Sequence, residues 1–167
     1  MTRWRVAALL LPLLAGCASS SGDSGAAAAP YLRMADQDDL PTLDPARGYD
    51  TASWQFEEAL FNTLVDYDAD GGLVPELAMR WEISDDRRIY TFHLRDDVHF
   101  TNGRALTAGD VRYEIERVLN AHTRSPGAEF FRGIVGAEGC TDTDCSVTGI
   151  EIPDPHTIRF VLREFDP

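Results

Sequence analysis

Residues 90–111 read YTFHLRDDVHFTNGRALTAGDV and carry the strongest secondary-structure signals of the chain. At the start of this segment apolar and polar side chains alternate, which predicts a half-buried β-strand whose inner face carries Tyr90, Phe92 and Leu94. Asn102-Gly103 follows as a strong turn signal. The segment therefore predicts a strand that ends in a tight reversal of the chain.

A helix is predicted directly after this turn. Thr107 and Asp110 have the spacing of a capping box, because a hydroxyl can accept from a free N–H of the first turn and an acid is favoured at the positive end of a helix. Apolar residues then recur at helical spacing to about Ala121, and the predicted stripe comprises Val111, Ile115, Val118 and Leu119.

The rest of the chain mixes strands and helices. We expect a strand at residues 31–35, a well-buried helix at 52–65, a short helix at 75–81 that Pro75 begins, and a strand at 157–163. No internal repeat is visible. The predicted fold class is therefore mixed, α/β or α+β.

The N-terminus has the pattern of a bacterial export signal. Two arginines precede an apolar run at residues 6–16, which as a helix would span roughly 16 Å, about half of a hydrocarbon core. Residues 13–17, Leu-Leu-Ala-Gly-Cys, resemble the lipobox of bacterial lipoproteins. We expect a signal peptide at residues 1–16 and acylation of Cys17, with an ordinary secretory signal that contains a cysteine as the alternative.

A flexible tether is expected at residues 17–30. After Cys17 this segment lacks large apolar side chains and cannot offset the entropy of ordering itself. Acyl chains on Cys17 would hold the protein at a membrane while residues 31–167 form the folded body. The formal net charge of −13 disfavours nucleic acid as a partner, because an acidic surface repels phosphate.

Two further cysteines lie close together in the sequence. Cys140 and Cys145 predict a local disulfide, since export exposes them to an oxidising compartment; free thiols are the alternative. A zinc site would need two more ligands nearby in sequence, and none has a matching spacing.

The acidic segment at residues 66–73, DYDADGGL, resembles the start of an EF-hand calcium loop. The twelfth position of that loop should be a glutamate, but it is Leu77, and Glu76 falls one residue early. We therefore expect a solvated acidic turn, with calcium as the alternative.

The histidines and the remaining polar residues do not predict catalysis. His93 and His99 would lie roughly 20 Å apart on a continuous strand, too far for one metal ion, and we expect exposed strand histidines. The sequence has no G-x-S-x-G elbow and no glycine-rich phosphate loop, and no carboxylate pair stands out as acid and base. We expect no metal, no cofactor and no enzymatic activity.

Several spaced motifs together resemble the N-terminal part of the family 5 extracellular solute-binding proteins. They are Leu43-Asp44-Pro45, residues 58–64 (EALFNTL), residues 72–81 (GLVPELAMRW) with Ser84-Asp85-Asp86, the opening segment 90–111, and residues 149–162 around Thr157-Ile158-Arg159-Phe160. The resemblance covers residues 31–167. It implies the N-terminal portion of a two-lobed fold like the type II periplasmic binding proteins.

The resemblance also implies a function. Members of this family capture di- and oligopeptides, and in some branches nickel, heme, sugars or opines, and deliver them to the permease of an ATP-binding-cassette (ABC) importer. Two lobes close around the ligand by a hinge motion. A lipid-anchored binding protein in the periplasmic space or on the outer face of the cytoplasmic membrane is therefore expected. A lipoprotein sensor or interaction module without transport is the alternative.

Two segments are expected to approach the ligand. By analogy with the family they are the loop with Tyr49, Asp50 and Thr51 and the pair Phe130 and Phe131. The alternative is that these aromatic residues are packing residues and loop anchors. Because family chains are about three times as long, the sequence is also expected to be a fragment of a larger protein.

Overall fold

The computed structural model describes residues 39–141 and 143–165. The signal peptide, Cys17, the tether and the strand expected at residues 31–35 lie outside the described residues. Within the described ranges, no helix has the length and the apolar character that crossing a membrane requires.

A four-stranded antiparallel sheet forms the centre of the fold. Its strands are β3 (Ala78–Ile83), β4 (Ile89–Leu94), β5 (Ile150–Asp154) and β6 (Thr157–Val161), in the spatial order β3-β4-β6-β5. Across β4 and β6, Phe92 pairs with Ile158 and Tyr90 pairs with Phe160. The predicted alternation in β4 and β6 is confirmed, since these apolar residues share one face and Leu94 and Ile158 are fully buried.

Helix α2 (Ala108–Leu119) packs on this sheet through the predicted stripe. Val118 and Leu119 are buried, and Val111 and Ile115 pack against the core that contains Ile150, Ile158 and Phe160. At the start of the helix the Asp110 carboxylate accepts from both the backbone N–H and the hydroxyl of Thr107. The capped helix and the preceding turn, where Gly103 has a φ of 84°, are confirmed.

The prediction of a short helix at residues 75–81 is wrong. Residues Leu73–Pro75 form β2, which pairs with β1 (Val65–Tyr67), and Ala78–Ile83 form β3. Trp81 pairs with Phe92 of β4, so cross-strand pairing outweighs the short helical pattern. Pro75 is tolerated because a two-stranded ribbon leaves its missing N–H at an edge.

Helix α1 (Thr51–Leu60) is shorter than predicted and buries a different face. Its buried residues are Ala52, Ser53 and Glu57, whereas Trp54 is 46% exposed and Leu60 is 59% exposed. The helix ends because Phe61 is extended and the Glu76 carboxylate binds the backbone N–H and the hydroxyl of Thr63. The prediction of a well-buried helix reaching residue 65 is therefore wrong.

The acidic segment 66–73 comprises the end of β1, the turn at residues 68–72 and the first residue of β2. The Asp68 carboxylate accepts from the backbone N–H groups of Asp70 and Gly72, at 2.9 and 2.7 Å, and Gly71 adopts a φ of 80°. Glu76, which the calcium alternative would need as a ligand, is engaged with Asn62 and Thr63 instead.

A disulfide joins Cys140 to Cys145 in the structure, next to a short 3-10 helix (Ala137–Gly139). The segment that follows it is held to α2, because Arg112 donates to the Val147 carbonyl and the Glu116 carboxylate accepts the Val147 N–H. Both cysteines pack against the core.

Candidate ligand-binding site

Three aromatic side chains from two segments of the chain meet on the surface. The Tyr49 ring lies 5.5 Å from the Trp54 ring in an edge-on arrangement and 6.3 Å from the Phe130 ring, measured between centroids. Tyr49 and Trp54 are about half exposed, and Phe130 is 71% exposed. We refer to Tyr49, Trp54 and Phe130 as the aromatic cluster.

The loop that carries Tyr49 is held by Asp44. The Asp44 carbonyl accepts from the N–H groups of Arg47 and Gly48, and its carboxylate accepts from the Ala46 N–H. The same carboxylate pairs with Arg117 of α2. This hydrogen-bonded guanidinium, against a smaller opposing effect of burial, lowers the pKa of Asp44 below its ordinary value. The loop and α2 are thereby fixed to each other.

Asp50 and Thr51 start helix α1. The Asp50 carboxylate accepts from the backbone N–H of Ser53 at 2.9 Å and from its hydroxyl at 2.8 Å, as an N-cap residue does. These hydrogen bonds lower the pKa of Asp50. Thr51 is the first helical residue and is exposed. Asp50 therefore has a structural role here, and it also places a negative charge beside Tyr49.

Phe130 and Phe131 separate into two roles. Both belong to a 3-10 helix, Pro126–Phe131, which Ser125 caps through its side chain. Phe131 packs against the core, whereas Phe130 points to the aromatic cluster and to solvent. Packing against the core, the alternative role, thus applies to Phe131, whereas Phe130 has the exposure that a ligand contact needs.

An open apolar groove adjoins the cluster at Phe130. It is lined by residues of the sheet, of α2, of the 3-10 helix and of three connecting positions: Tyr90, Phe92 and Phe160; Ile115; Phe130 and Phe131; and Leu64, Ile134 and Leu162. A ligand with apolar side chains could bury surface in this groove while its polar groups stay near the rim.

Two residues at this site were not predicted from the sequence. Trp54 was assigned to a buried helix face, and Glu57 was not singled out. Glu57 is 9% exposed, and its Oε1 atom lacks a hydrogen-bond partner within the described part of the chain. A Cβ added to Gly48 would lie 1.9 Å from that oxygen, so the carboxylate reaches into the loop that carries Tyr49. The only sequence signal was the small pair Ala52-Ser53, which frees space on one face of α1.

His93 and His99, the histidines considered as metal ligands, lie on β4 and after it, outside the aromatic cluster. His93 pairs with Thr157 across the sheet, and its Nε2 lies 3.3 Å from Glu82 Oε1 with its side chain 24% exposed. The expectation of an exposed His93 is therefore wrong, because a neighbouring strand covers it. His99 is exposed and forms an isolated bridge with Ala105. Among the described residues, no group of three His, Cys, Asp or Glu side chains is placed to hold a metal ion.

Comparison with known proteins identifies the family. Residues 72–167 match the model of the bacterial extracellular solute-binding proteins, family 5 Middle. The chain belongs to this family. The resemblance inferred from the sequence motifs is thus confirmed.

Individual relatives agree with this assignment. The chain is 34% identical to the periplasmic murein peptide-binding protein MppA of Escherichia coli over 130 residues, which cover 75% of this chain and 24% of MppA. It is 34% identical over 92 residues to the nickel-binding periplasmic protein of Escherichia coli, covering 55% and 18% of the two chains.

A solved structure supports the fold. The substrate-binding domain of an oligopeptide ABC transporter from Bacillus anthracis superposes with a TM-score of 0.73 at 27% identity, covering 80% of this chain and 26% of that one. The mixed α/β fold class, as part of a two-lobed periplasmic binding protein, is confirmed. The chain spans about a quarter of the length of these relatives.

Proposed function

We propose that this protein is the extracytoplasmic substrate-binding component of an ABC importer for di- and oligopeptides, and that it delivers them to a membrane permease. The observation that carries the proposal is the aromatic cluster. Tyr49 and Phe130 come from the two segments that the family resemblance implies as approaching a ligand, and their rings lie 6.3 Å apart on the surface.

The surface around the cluster suits a peptide better than a small ion. Half-exposed aromatic rings offer large contact area at little cost in side-chain entropy, and the adjoining groove is apolar. Relatives of this chain are named for binding murein peptide and for oligopeptide transport. Nickel, for which another relative is named, has no comparable support among residues 39–141 and 143–165.

The location and the anchor are part of the same proposal. The family is described as extracellular, which supports a place outside the cytoplasm. Acylation at Cys17 would hold the protein at the membrane, and residues 17–30 would let the folded body reach its permease. Closure of two lobes around the peptide would be the signal that the permease recognises.

Peptide binding can be tested on the protein purified at its native length from the cells that produce it. The protein is incubated with a mixture of di- to pentapeptides, and the retained peptides are identified by mass spectrometry after gel filtration. We expect retention of peptides and a weaker affinity in Tyr49→Ala and Phe130→Ala. The proposal would be contradicted if no peptide were retained. It would also be contradicted if both variants bound the peptides with the affinity of the unmodified protein.

A matched control is available on α2. Tyr113 is 66% exposed and lies outside the aromatic cluster, so Tyr113→Ala removes a surface tyrosine without changing the proposed site. Its affinity should equal that of the unmodified protein. A parallel titration with nickel chloride distinguishes the peptide proposal from metal capture.

A further inference from the structure

Glu57 is a buried carboxylate, and within the described part of the chain no neutralising partner is paired with it. Its Oε1 atom is inaccessible to solvent and lacks a hydrogen bond within the described residues. Buried charged groups are ordinarily paired or hydrogen-bonded, because desolvation of an unpaired carboxylate is costly. A buried carboxylate that keeps an unused acceptor at a candidate binding site is suited to an incoming cation.

The charges closest to Glu57 do not neutralise it. Burial first, and then the negative charges of Asp50 and Asp44, raise the pKa of Glu57 above its ordinary value. Arg117 of α2 is already paired with Asp44, and residues 44–60 contain one basic residue, Arg47, against four acidic ones, Asp44, Asp50, Glu57 and Glu58. The loop formed by residues 44–50 and the first turns of α1 therefore hold an excess of negative charge.

Two members of the aromatic cluster, Tyr49 and Trp54, lie on this same loop and helix. Tyr49 follows Gly48, against which the Glu57 carboxylate packs, and Trp54 precedes Glu57 by one helical turn. The faces of tyrosine and tryptophan rings attract ammonium and guanidinium groups. The rings are exposed, so a cation could approach them from solvent.

We propose that Glu57 and the aromatic cluster form a subsite for a cationic group of the bound peptide, an ammonium or a guanidinium. The proposal rests on the peptide-binding function proposed above and names the side-chain chemistry that the site selects. The cation stacks on the rings while the carboxylates of Glu57 and Asp50 supply the opposing charge. An uncharged side chain of the same length gains the apolar contact alone.

The test compares charged and uncharged peptides of the same shape. Calorimetry on the native-length protein measures three tripeptides of alanine that carry lysine at the first, second or third position, each against its norleucine counterpart. We expect at least one lysine peptide to bind about five- to tenfold more tightly than its counterpart. In Glu57→Gln this ratio should fall towards one.

Each outcome bears on a different claim. If both members of every pair bind equally, the cation subsite is excluded while peptide binding stands. If none of the peptides binds, the proposed function fails and the subsite fails with it. A lysine preference that persists unchanged in Glu57→Gln also excludes the assignment of Glu57.

Two further variants test whether the lysine preference depends on Glu57 and the aromatic cluster specifically. Glu58→Gln changes the neighbouring exposed carboxylate on the same helix and should retain the lysine preference. Trp54→Leu, which leaves Glu57 in place, should reduce the preference. If Glu58→Gln loses the preference as fully as Glu57→Gln does, a general charge effect replaces the proposed subsite.

Discussion

At position 48 the Glu57 carboxylate occupies the space that a larger side chain would need. A Cβ there would lie 1.9 Å from Oε1 and 2.7 Å from Cδ of Glu57. We expect Gly48→Ala to lower the free energy of unfolding by about 1–3 kcal/mol, as overpacking of a close contact does. Urea titration followed by tryptophan fluorescence measures the change. The same substitution in a Glu57→Ala background should cost much less, and an equal cost in both would show that another contact is responsible.

The ionisation of Glu57 predicts a distinctive pH dependence. Because its pKa is raised by burial and by Asp50 and Asp44, the folded protein keeps this proton to a higher pH than the unfolded chain. Stability is therefore lost as the pH rises from the ordinary value of 4.5 through the folded value. Relative to the unmodified protein, Glu57→Gln should be more stable above this range, with the difference disappearing below pH 4.5.

Asp44 provides a control, because its contribution to stability depends on pH in the opposite direction to that of Glu57. Its pKa is lowered, chiefly by the hydrogen bond from Arg117, so it stabilises the fold above its ordinary value of 3.8 and loses that contribution as the pH falls through the folded value. Asp44→Asn should thus be less stable than the unmodified protein at neutral pH. If the Glu57→Gln and Asp44→Asn profiles have the same sign, the charge distribution described for this loop is wrong.

Single residues at the site were predictable only in part. Tyr49 and Phe130 could be named from their positions relative to family motifs. Trp54 and Glu57 could not, because apolar residues on both sides of the helix predicted that it is buried, whereas the structure exposes Trp54 and buries Ala52, Ser53 and Glu57. Which face of a short helix packs inward depends on its neighbours, here the Asp44 loop, and not on its own periodicity.

Among the elements, α2 has the most clearly defined start. Asp110 binds the Thr107 N–H and hydroxyl and also accepts two hydrogen bonds from Arg104. Asp110→Ala should lower the free energy of unfolding by about 1 kcal/mol, the usual cost of losing a helix cap. Arg104→Ala, which removes the ion pair and the exposed contact with the Phe100 ring but leaves the hydrogen bonds that Thr107 donates to Asp110, should cost less. Equal losses in the two variants would assign the effect to the ion pair.

The elements whose signals lie within a few residues were predictable from the sequence. The elements whose structure depends on contacts with distant segments of the chain were not. The alternating strand β4, the Asn102-Gly103 turn and the capped helix α2 each have their determinants within a few residues. Strand β3 does not, since its residues also satisfy a short helical pattern and become a strand by pairing with β4. The helix α1 ended early for a similar reason, because Glu76 from another segment binds Thr63.

The whole protein is expected to be anchored through Cys17. Cys17→Ala should move it from the membrane fraction to the soluble extracytoplasmic fraction, because loss of the acylation site removes the lipid chains that would hold it there. Fractionation of cells followed by immunoblotting measures this. Ser19→Ala, two residues away in the predicted tether, should leave the protein at the membrane. Continued membrane association of Cys17→Ala would contradict lipid anchoring.

The central claim is that the aromatic cluster contacts a peptide, and hydrogen–deuterium exchange tests it most directly. Exchange is measured on the native-length protein with and without a peptide found by the retention experiment. We predict slower exchange on binding at residues 48–54 and 126–131, the two segments that carry the cluster, with little change at the turn of residues 68–72 between β1 and β2, which contains no cluster residue. Unchanged exchange at both cluster segments, with protection elsewhere, would show that the peptide binds at another surface.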